Sequence, residues 1–399
     1  MKILDVAPWG IYPPKYGGPN RINNINLELA KLGHEILLFS QGLGNNEKNI
    51  KNFRSWTTKI DKNYSEFRYV NLLELGVRAL MHYPLKTPPI FSGSFLKIFS
   101  PKILSKSIDN SDLIIVEKPW QFEHVFKKNN QDKPIIIDTI DVEYFRVQSI
   151  LKNKPFSKNI LDIVKDKEQF AVENSDAVLA VSEEDVKKFS EYYGISKSKL
   201  HVAPNGVNTK KIKPTDYDEK ENLKSKYGFK NKTIVLFTGS EYYPNIEAVS
   251  HIINFSKSLK NENILILIVG SCGNQFSHKK YNNIIFTGIV DKIEDYLKIA
   301  DIALNPILSG GGSNIKLFEY MAAGLPIVTT YFGARGSNLK NNVDAIISDI
   351  ADFSKNIELI ADNEDFALNI GKNARNLAVE KYSWDSVAKK IDNVINKLC

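Results

Sequence analysis

Short apolar runs alternate along this chain with longer segments whose apolar residues recur at helical spacing. The runs predict strands at 2–6, 35–40, 67–72, 112–116, 134–138 and 176–181, and again at 233–238, 264–269, 284–287, 301–305, 326–330 and 344–348. Helices are predicted at 19–32, 142–151, 156–174, 183–193, 245–260, 291–299 and 313–323, and then after 351, including an amphipathic stretch from Trp384 to Leu398. This alternation is typical of parallel sheets covered by helices, so we predict an α/β fold.

The strands and helices fall into two successive series. The turn signal Asn205-Gly206 lies between them, and we interpret the lysine-rich polar stretch 208–232 as a linker. The chain has 399 residues, and a typical domain has about 100–200. We therefore predict two Rossmann-like, doubly wound domains that face each other across a cleft, at 1–206 and 207–381. Ligands of such sheets bind outside the carboxyl ends of the strands, so functional residues are expected in the loops that follow strands.

Composition excludes several classes of protein. Hydrophobic residues make up 43% and charged residues 25% of the chain, which is ordinary for a folded protein and excludes wholesale disorder or a fibrous rod. Cys272 and Cys399 are too few for a disulfide framework or a four-thiolate zinc site. The six histidines form no metal-binding spacing. We expect no protein-built metal site and no cofactor.

The charge balance is mildly basic. Lys and Arg number 53 against 46 Asp and Glu, a net charge of +7. This excess suits anionic partners such as nucleotide-sugars, lipid phosphates or acidic bilayers, but solubility alone explains it equally well. Without a clustered basic helix or an aromatic stacking motif, we expect no nucleic acid partner. No apolar run is long enough to span a bilayer, and residues 1–6 fit a buried strand better than a signal peptide, so we expect a cytoplasmic protein.

The glycine-rich segment 309–324 is the most informative part of the chain. It follows the apolar run 302–306, so a strand, a glycine turn and a helix are predicted in succession. Glycines let the backbone approach a ligand, and the unpaired N–H groups of a helix start favour an anion such as a diphosphate. Ser313 is a plausible N-cap, and the spacing of three places Lys316 and Glu319 on one helix face. A plain turn with a surface Lys–Glu pair is the alternative. The segment lacks the P-loop pattern, and no Gly-x-Gly-x-x-Gly points to a nicotinamide dinucleotide.

These segments resemble a known enzyme family. Residues 286–290, 300–306 and 310–330 resemble the donor-binding half of family 4 (group 1) retaining glycosyltransferases, and 237–240, Pro244-Asn245 and 268–270 fit the family's earlier strand–loop units. The resemblance implies the two-domain GT-B fold, with a C-terminal helix at 382–399 that packs back on the first domain. It implies a nucleotide-sugar donor and a glycan or lipid-linked acceptor.

The resemblance also implies roles for individual residues. Lys316 and Glu319 are the candidate catalytic residues, with Glu319 holding the ribose and Lys316 touching the diphosphate. Gly288 to Val290 match a segment that meets the nucleobase. The candidate donor-binding residues are Gly239, Ser240, Asn245, Gly270, Gly288, Val290, Gly311, Gly312, Ser313, Asn314 and Ile315.

The chain departs from the common family pattern in two places. Many members carry a glutamate at the position of Gly311, and many carry an arginine and a lysine after the first donor-domain strand, where this chain has Ser240, Glu241 and then Pro244-Asn245. We interpret both departures as features of a glycine-triplet subgroup.

Two segments of the first half are candidates for an acceptor site. Gly17, Gly18 and Arg21 follow the first strand, where the family has a similar loop near donor and acceptor; a turn with an exposed arginine is the alternative. The segment 135–144 resembles a family stretch that often carries a histidine where this chain has Ile140. We expect Asp141 to cap the following helix and keep Glu143 as an acceptor-site candidate.

The stretch 75–108 has no acidic residue, and its lysines and arginine interleave with apolar side chains. Such a stretch fits peripheral contact with an anionic membrane surface, or a core helix with solvated lysines.

Together these features predict a retaining, metal-independent glycosyltransferase that acts in surface polysaccharide or glycoconjugate synthesis. The rival interpretations are a GT-B sugar-nucleotide epimerase, which would turn over without an acceptor, and a non-enzymatic nucleotide-sugar-binding protein.

Overall fold

A computed structural model describes residues 1–15, 17–43, 54–82, 89–151, 156–310 and 314–399, with the side chains of 81 and 82 excepted. The described chain divides into two compact units. Unit 1 comprises Met1–Asn205 and Val387–Cys399, and unit 2 comprises Gly206–Ser386. The boundaries predicted from sequence were 206/207 and 381/382.

Unit 1 is built on an eight-stranded sheet. Its strands are β1 (Lys2–Ala7), β2 (Glu35–Gln41), β3 (Trp56–Asp61), β4 (Tyr64–Tyr69), β5 (Leu113–Glu117), β6 (Ile135–Asp138), β7 (Ala177–Ala180) and β8 (Leu200–Val202). Their order is β3-β4-β2-β1-β5-β6-β7-β8, and β3 is antiparallel to β4 while the other neighbours are parallel. The central strands are buried on both faces, as expected of a parallel sheet covered by helices.

The described helices of unit 1 connect these strands. They are α1 (Gly17–Lys31), α2 (Leu72–Val77), α3 (Ser92–Ile98), α4 (Lys102–Asn110), α5 (Phe122–Lys128), α6 (Glu143–Leu151), α7 (Ser157–Asn174) and α8 (Glu183–Tyr193), and a π-helical turn (Arg78–His82) follows α2. Local signals explain their ends: the Ser182 side chain accepts from the Asp185 N–H at the start of α8, and Gly194 ends that helix at a φ of 70°.

Unit 2 has a six-stranded, fully parallel sheet. Its strands are β9 (Thr233–Thr238), β10 (Ile264–Val269), β11 (Ile284–Gly288), β12 (Ile302–Asn305), β13 (Ile327–Thr329) and β14 (Ile346–Ile347), in the order β11-β10-β9-β12-β13-β14. Its described helices are α9 (Tyr217–Lys226), α10 (Tyr243–Ser256), α11 (Ile293–Ile299), α12 (Ile315–Ala322), α13 (Phe353–Ala361) and α14 (Glu364–Leu377). A π-helical turn (Ala378–Tyr382) precedes α15 (Trp384–Leu398), whose residues from Val387 onward belong to unit 1.

The predicted α/β class with doubly wound sheets is confirmed, but two local predictions are wrong. The strand predicted at 67–72 lies at Tyr64–Tyr69, and Asn71 caps a helix that begins at Leu72. The stretch predicted as a linker contains helix α9, which Asp216 caps by accepting from the Glu219 N–H at 2.8 Å. Its buried Lys224 donates to Asp301 at 2.8 Å, so an ion pair holds this largely polar helix in addition to the packing of Leu223 against the core.

Among the described residues, no helix is both long and apolar enough to cross a membrane.

Candidate functional site

The strand order of unit 2 identifies where a ligand should bind. From β9 the chain moves to β10 and β11 on one side, and β12, β13 and β14 lie on the other. The topological switch point therefore lies between β9 and β12, where the loops that follow these two strands diverge. Open parallel sheets bind ligands in the crevice at this point. The loop after β9 begins at Gly239, and the loop after β12 leads to the start of α12.

Three predicted donor-site glycines lie side by side at the carboxyl ends of β9, β10 and β11. The Gly239 N–H donates to the Val269 carbonyl at 2.9 Å, and the Gly270 N–H donates to the Gly288 carbonyl at 2.8 Å. These hydrogen bonds join the strand ends into one rim. Val290 follows two residues after this rim and is half-buried against the core of unit 2.

Lys316 follows β12 and is held at the switch point by residues of β9 and of the segment after β9. Its Nζ donates to Asn245 Oδ1 at 2.5 Å and lies 4.3 Å from the centre of the Phe237 ring, at the end of β9. The Asn245 amide in turn donates to the Ser240 carbonyl at 3.0 Å. Burial lowers the pKa of Lys316 to about 7, although the neighbouring Cys272 and Glu319 favour its charged form. A lysine with this pKa gains a full charge when an anion binds beside it.

Glu319 lies one helical turn after Lys316 on the same helix. Burial, together with the charge of Glu294, raises the pKa of Glu319 to about 7. The next residue, Tyr320, locks the helix to β9, because its hydroxyl accepts from the Thr238 N–H at 2.8 Å. Lys316 and Glu319 are thus two titratable groups with opposite pKa shifts on one fixed helix, a combination typical of functional sites.

The loop before α12 is anchored through Asn314. Its side-chain amide donates to Asn305 Oδ1 at 2.7 Å, and the Asn305 amide donates to the Gly333 carbonyl at 3.0 Å. Gly310 adopts a φ of 115°, and a Cβ atom there would lie 2.8 Å from Pro244. Ile315 is the first residue of the helix. The predicted residues Gly311, Gly312 and Ser313 lie outside the described part of the chain.

Arg21 is buried in unit 1, whereas the sequence predicted either a loop residue near donor and acceptor or an exposed arginine in a turn. Gly17 and Gly18 begin helix α1, and Arg21 lies one turn further on. Its guanidinium makes two hydrogen bonds to Asp138, at 2.9 and 3.1 Å, and donates to the Ala203 and Pro204 carbonyls at 2.8 Å. Arg21 thus ties α1 to the end of β6 and to the last residues of unit 1 before residue 206.

Glu143 is also fully buried, inside a cluster of charges after β5 and β6. Its carboxylate accepts from Lys118, the residue after β5, and from Arg146 at 2.6 Å. The surrounding cations hold the pKa of Glu143 below its usual range against the opposing effect of burial. Asp141 accepts from Lys118 at 3.0 Å and is one-fifth exposed.

The expected cap of α6 is supplied by a different residue. Glu168 accepts from the backbone N–H groups of Glu143 and Tyr144 at 2.6 and 3.0 Å, and from the Tyr193 hydroxyl at 2.6 Å. Burial raises the pKa of Glu168 to about 7. Asp141 instead pairs with Lys118, because a carboxylate on a separate helix already satisfies the first N–H groups.

Sequence reasoning missed Lys118, Glu168, Phe237 and Tyr320. Each of these side chains contacts a partner that is far away in the sequence, so no local spacing of residues predicts the pair. In the described part of the chain, no three His, Cys, Asp or Glu side chains lie together in a way that could hold a metal ion.

Comparison with known protein families assigns the chain. The model for "Glycosyltransferase Family 4" matches residues 17–211, and the model for "Glycosyl transferases group 1" matches residues 232–363. This protein belongs to the family 4, group 1 glycosyltransferases.

Relatives of the chain include an uncharacterized glycosyltransferase, MJ1607, from Methanocaldococcus jannaschii, which is 27% identical over 54% of this chain and 59% of the relative. The UDP-Gal:alpha-D-GlcNAc-diphosphoundecaprenol alpha-1,3-galactosyltransferase of Escherichia coli is 25% identical over 59% of this chain and 63% of the relative. The chain thus matches about three fifths of the length of these curated relatives.

Solved structures show that the chain has the GT-B fold. The crystal structure of Anabaena Alr3699/HepE in complex with UDP superposes with a TM-score of 0.71 at 15% identity, over 100% of both chains. The predicted family and fold are therefore confirmed.

Proposed function

We propose that this protein transfers a sugar from a nucleotide-sugar to a hydroxyl group of a glycan or lipid-linked acceptor, with retention of the anomeric configuration. The observation that carries the proposal is the arrangement of Lys316, Asn245 and Glu319 at the switch point of unit 2. Family membership supports transferase chemistry. The UDP bound by HepE and the UDP-Gal donor named for the E. coli relative support a nucleotide-sugar donor, and the diphosphoundecaprenol of that relative supports a lipid-linked acceptor.

Departure of the nucleoside diphosphate is the difficult step. As the sugar C1–O bond breaks, negative charge grows on the leaving phosphate oxygen. We assign its stabilisation to the Lys316 ammonium and to backbone N–H groups of 311–314, in the glycine-triplet loop. The acceptor oxygen forms the new bond to C1 on the same face, and its proton passes to the leaving phosphate oxygen. This route needs no metal and no protein nucleophile.

Donor recognition is assigned to the rim around the switch point. Glu319 accepts hydrogen bonds from the ribose, and the backbone of 288–290 meets the base. Gly239, Ser240 and Gly270 border the phosphates, close to the Asn245 side chain that orients Lys316. In unit 1 we retain Gly17, Gly18 and the exposed part of the Lys118–Asp141 pair as the acceptor side.

The test is a nucleotide-sugar panel. Thermal shift across UDP-, GDP- and other nucleotide-sugars selects the donor, because a ligand that binds only the folded state raises the unfolding temperature. Transfer to membrane or glycan extracts is then measured. Lys316→Ala and Glu319→Ala should each abolish transfer, and full activity of either variant would refute the assigned donor site. Turnover of the donor to an epimer without any acceptor would favour the epimerase instead.

We also propose peripheral membrane contact through 75–108 and its surroundings. Large apolar side chains are exposed there, with Leu80 80% and Ile98 70% accessible, and Leu72, Leu73 and Phe99 are exposed beside them. Tyr69 joins two parts of this surface by donating to the Phe99 carbonyl at 2.8 Å. Sedimentation with phosphatidylglycerol vesicles tests the contact. Leu80→Ser with Ile98→Ser should reduce binding, and unchanged binding would refute it.

A further inference from the structure

A groove of about 830 Å³ lies on one face of the unit 1 sheet, at the amino ends of its strands. Its floor is formed by the paired residues Leu4 and Leu37 of β1 and β2, and helix α4 forms one wall through Ile103. The candidate acceptor residues of unit 1 follow the carboxyl ends of its strands. The groove is therefore separate from them, at the opposite edge of the sheet.

The strand that borders the groove keeps one face open to solvent. Along β3, Thr57, Lys59 and Asp61 are exposed while the alternate residues are half-buried. Ser65 of β4 pairs with Lys59 and is half-buried beside it. The groove is thus accessible to a ligand without any movement of the sheet.

Positive charge is concentrated around the groove. Four lysines line it: Lys2, Lys59, Lys62 and Lys106. All four are exposed, and within the described residues none lies at ion-pairing distance from a carboxylate, in contrast to Lys118 and Lys224. Two carboxylates, Glu35 and Asp61, also line the groove, so cations exceed anions by four to two. Unpaired lysines around a concave surface attract an anionic ligand.

Half of the remaining lining consists of small hydroxyl and amide groups, and the other half is apolar or aromatic. The hydroxyl and amide groups are those of Thr57, Asn63, Ser65, Ser107, Asn110 and Ser111. Hydroxyl and amide groups both donate and accept hydrogen bonds, as sugar hydroxyls do. The largest exposed apolar side chains of this region, Leu80 and Ile98, are not among the lining residues. The four lysines and these six hydroxyl and amide groups together make up ten of the eighteen lining residues, and this polar majority fits a charged glycan better than a lipid tail.

We propose that this groove binds an anionic oligosaccharide, with its acidic groups on the lysines and its hydroxyls on the serine, threonine and asparagine side chains. The groove volume lies within the roughly 300–1,000 Å³ typical of small-ligand sites, enough for a few sugar units. The site goes beyond the proposed sugar transfer, since it holds a glycan away from the candidate acceptor residues of unit 1 without reacting with it. Such a site would keep an acidic glycan on the protein between transfer events.

Binding of a size-defined oligogalacturonate to the full-length protein tests the proposal, measured by calorimetry without any nucleotide-sugar. Lys59→Ala with Lys106→Ala should weaken binding at least tenfold. Lys257→Ala with Lys372→Ala, two exposed lysines of unit 2, removes the same net charge and should change binding less than twofold. Unchanged unfolding temperatures show that both variants fold. Because no donor is present, the result does not depend on transferase activity.

Three results would overturn the proposal. Equal weakening in both double variants would mean that net charge alone attracts the glycan. Equal affinity for oligogalacturonate and for inorganic phosphate would mean that the hydroxyl and amide lining plays no part. Binding to phosphatidylglycerol vesicles that depends on Lys59 and Lys106, without oligosaccharide binding, would assign these lysines to a membrane surface.

Discussion

A Cβ atom placed on Gly270 would lie 2.2 Å from the carbonyl oxygen of Gly239. Gly270 also adopts a φ of 103°, which side chains other than that of glycine rarely tolerate. The same Gly239 carbonyl accepts from the Cys272 N–H at 3.2 Å. The ends of β9 and β10 therefore approach too closely for any side chain, and this approach sets the shape of the rim beside Lys316.

Gly270→Ala should both destabilise unit 2 and weaken nucleotide-sugar binding. Steric overlap with the backbone and left-handed strain together predict a loss of about 3 kcal/mol in unfolding free energy. Gly228→Ala is the matched control, because Gly228 has a φ of 78° but nothing within 4 Å of the added Cβ. It should cost about 1 kcal/mol from strain alone. Urea unfolding measures both, and equal losses would contradict the close approach.

Nucleotide-sugar affinity should be highest near neutral pH. Lys316 has a pKa lowered to about 7, so above this pH the free protein must take up a proton to present an ammonium to the diphosphate. Affinity should then fall by up to about tenfold per pH unit. Glu319 has a pKa raised to about 7, so below this pH its carboxylate is lost and affinity should fall again.

Variants separate these two limbs of the pH profile. Lys316→Met should bind more weakly at pH 7 and lose the alkaline limb, whereas Glu319→Gln should lose the acidic limb. Calorimetric titration of the selected nucleotide-sugar between pH 5.5 and 8.5 (about three pH units around the two pKa values) measures both. A nucleotide-sugar is the suitable probe because its diphosphate diester does not titrate in this range. An unchanged profile in Lys316→Met would exclude the lysine as the titrating group.

Asp5→Asn should reduce the pH dependence of unit 1 stability. Burial, followed by the charge of Asp138, raises the pKa of Asp5 to about 7, despite the hydrogen bond that Asn26 donates at 2.6 Å. The folded state therefore holds a proton that the unfolded chain releases near pH 4. The stabilisation is complete below about pH 4 and is lost as the pH rises to about 7, on the order of 4 kcal/mol in all.

Tryptophan emission during urea unfolding at several pH values measures the stability of unit 1, since Trp9, Trp56 and Trp120 all lie in unit 1. Asparagine keeps the shape of the neutral carboxyl but cannot ionise. The exposed Asp61→Asn is the control and should leave the wild-type pH dependence intact. Identical pH dependence in wild type and Asp5→Asn would show that Asp5 does not carry the proton.

Lys224→Ala should destabilise unit 2 by about 1–2 kcal/mol, because its buried ammonium joins Asp301 and the Lys232 carbonyl. Lys226→Ala, two residues away and exposed, should cost less than about 0.5 kcal/mol. Circular dichroism during thermal unfolding compares the two. Equal effects would mean that α9 is not held by this ion pair.

Strands with continuous apolar runs could be predicted closely from the sequence. The strands at 233–238 and 264–269 have the bounds expected, because both faces are buried and the apolar run ends where the strand ends. The hairpin strand Trp56–Asp61 was missed, since half of its residues face solvent and its apolar pattern is weak. Helix α9 was missed for a similar reason, although Asp216 and Glu219 form a capping pattern that could have revealed it.

The residues of the candidate site also differ in how far the sequence predicts them. Lys316, Glu319 and the strand-end glycines could be named from local order, because a strand, a glycine turn and a helix are contiguous in the chain. The interior positions of Arg21 and Glu143 could not be predicted from local order. Arg21 reaches Asp138 across 117 residues, and Lys118 reaches Glu143 across 25, so only the folded sheet brings these charges together.

Residues 387–399 belong to unit 1 although unit 2 precedes them in the chain, and Asp392 there contacts His34 at 2.7 Å. A ribosome therefore completes all of unit 2 before it supplies the last segment of unit 1. Unit 1 therefore lacks its last helical segment while some 180 further residues are made, which takes on the order of ten seconds or more at typical synthesis rates. The order of synthesis thus favours unit 2 as the first unit to reach its final state. A fragment that stops at residue 205 would lack residues 387–399, which belong to unit 1.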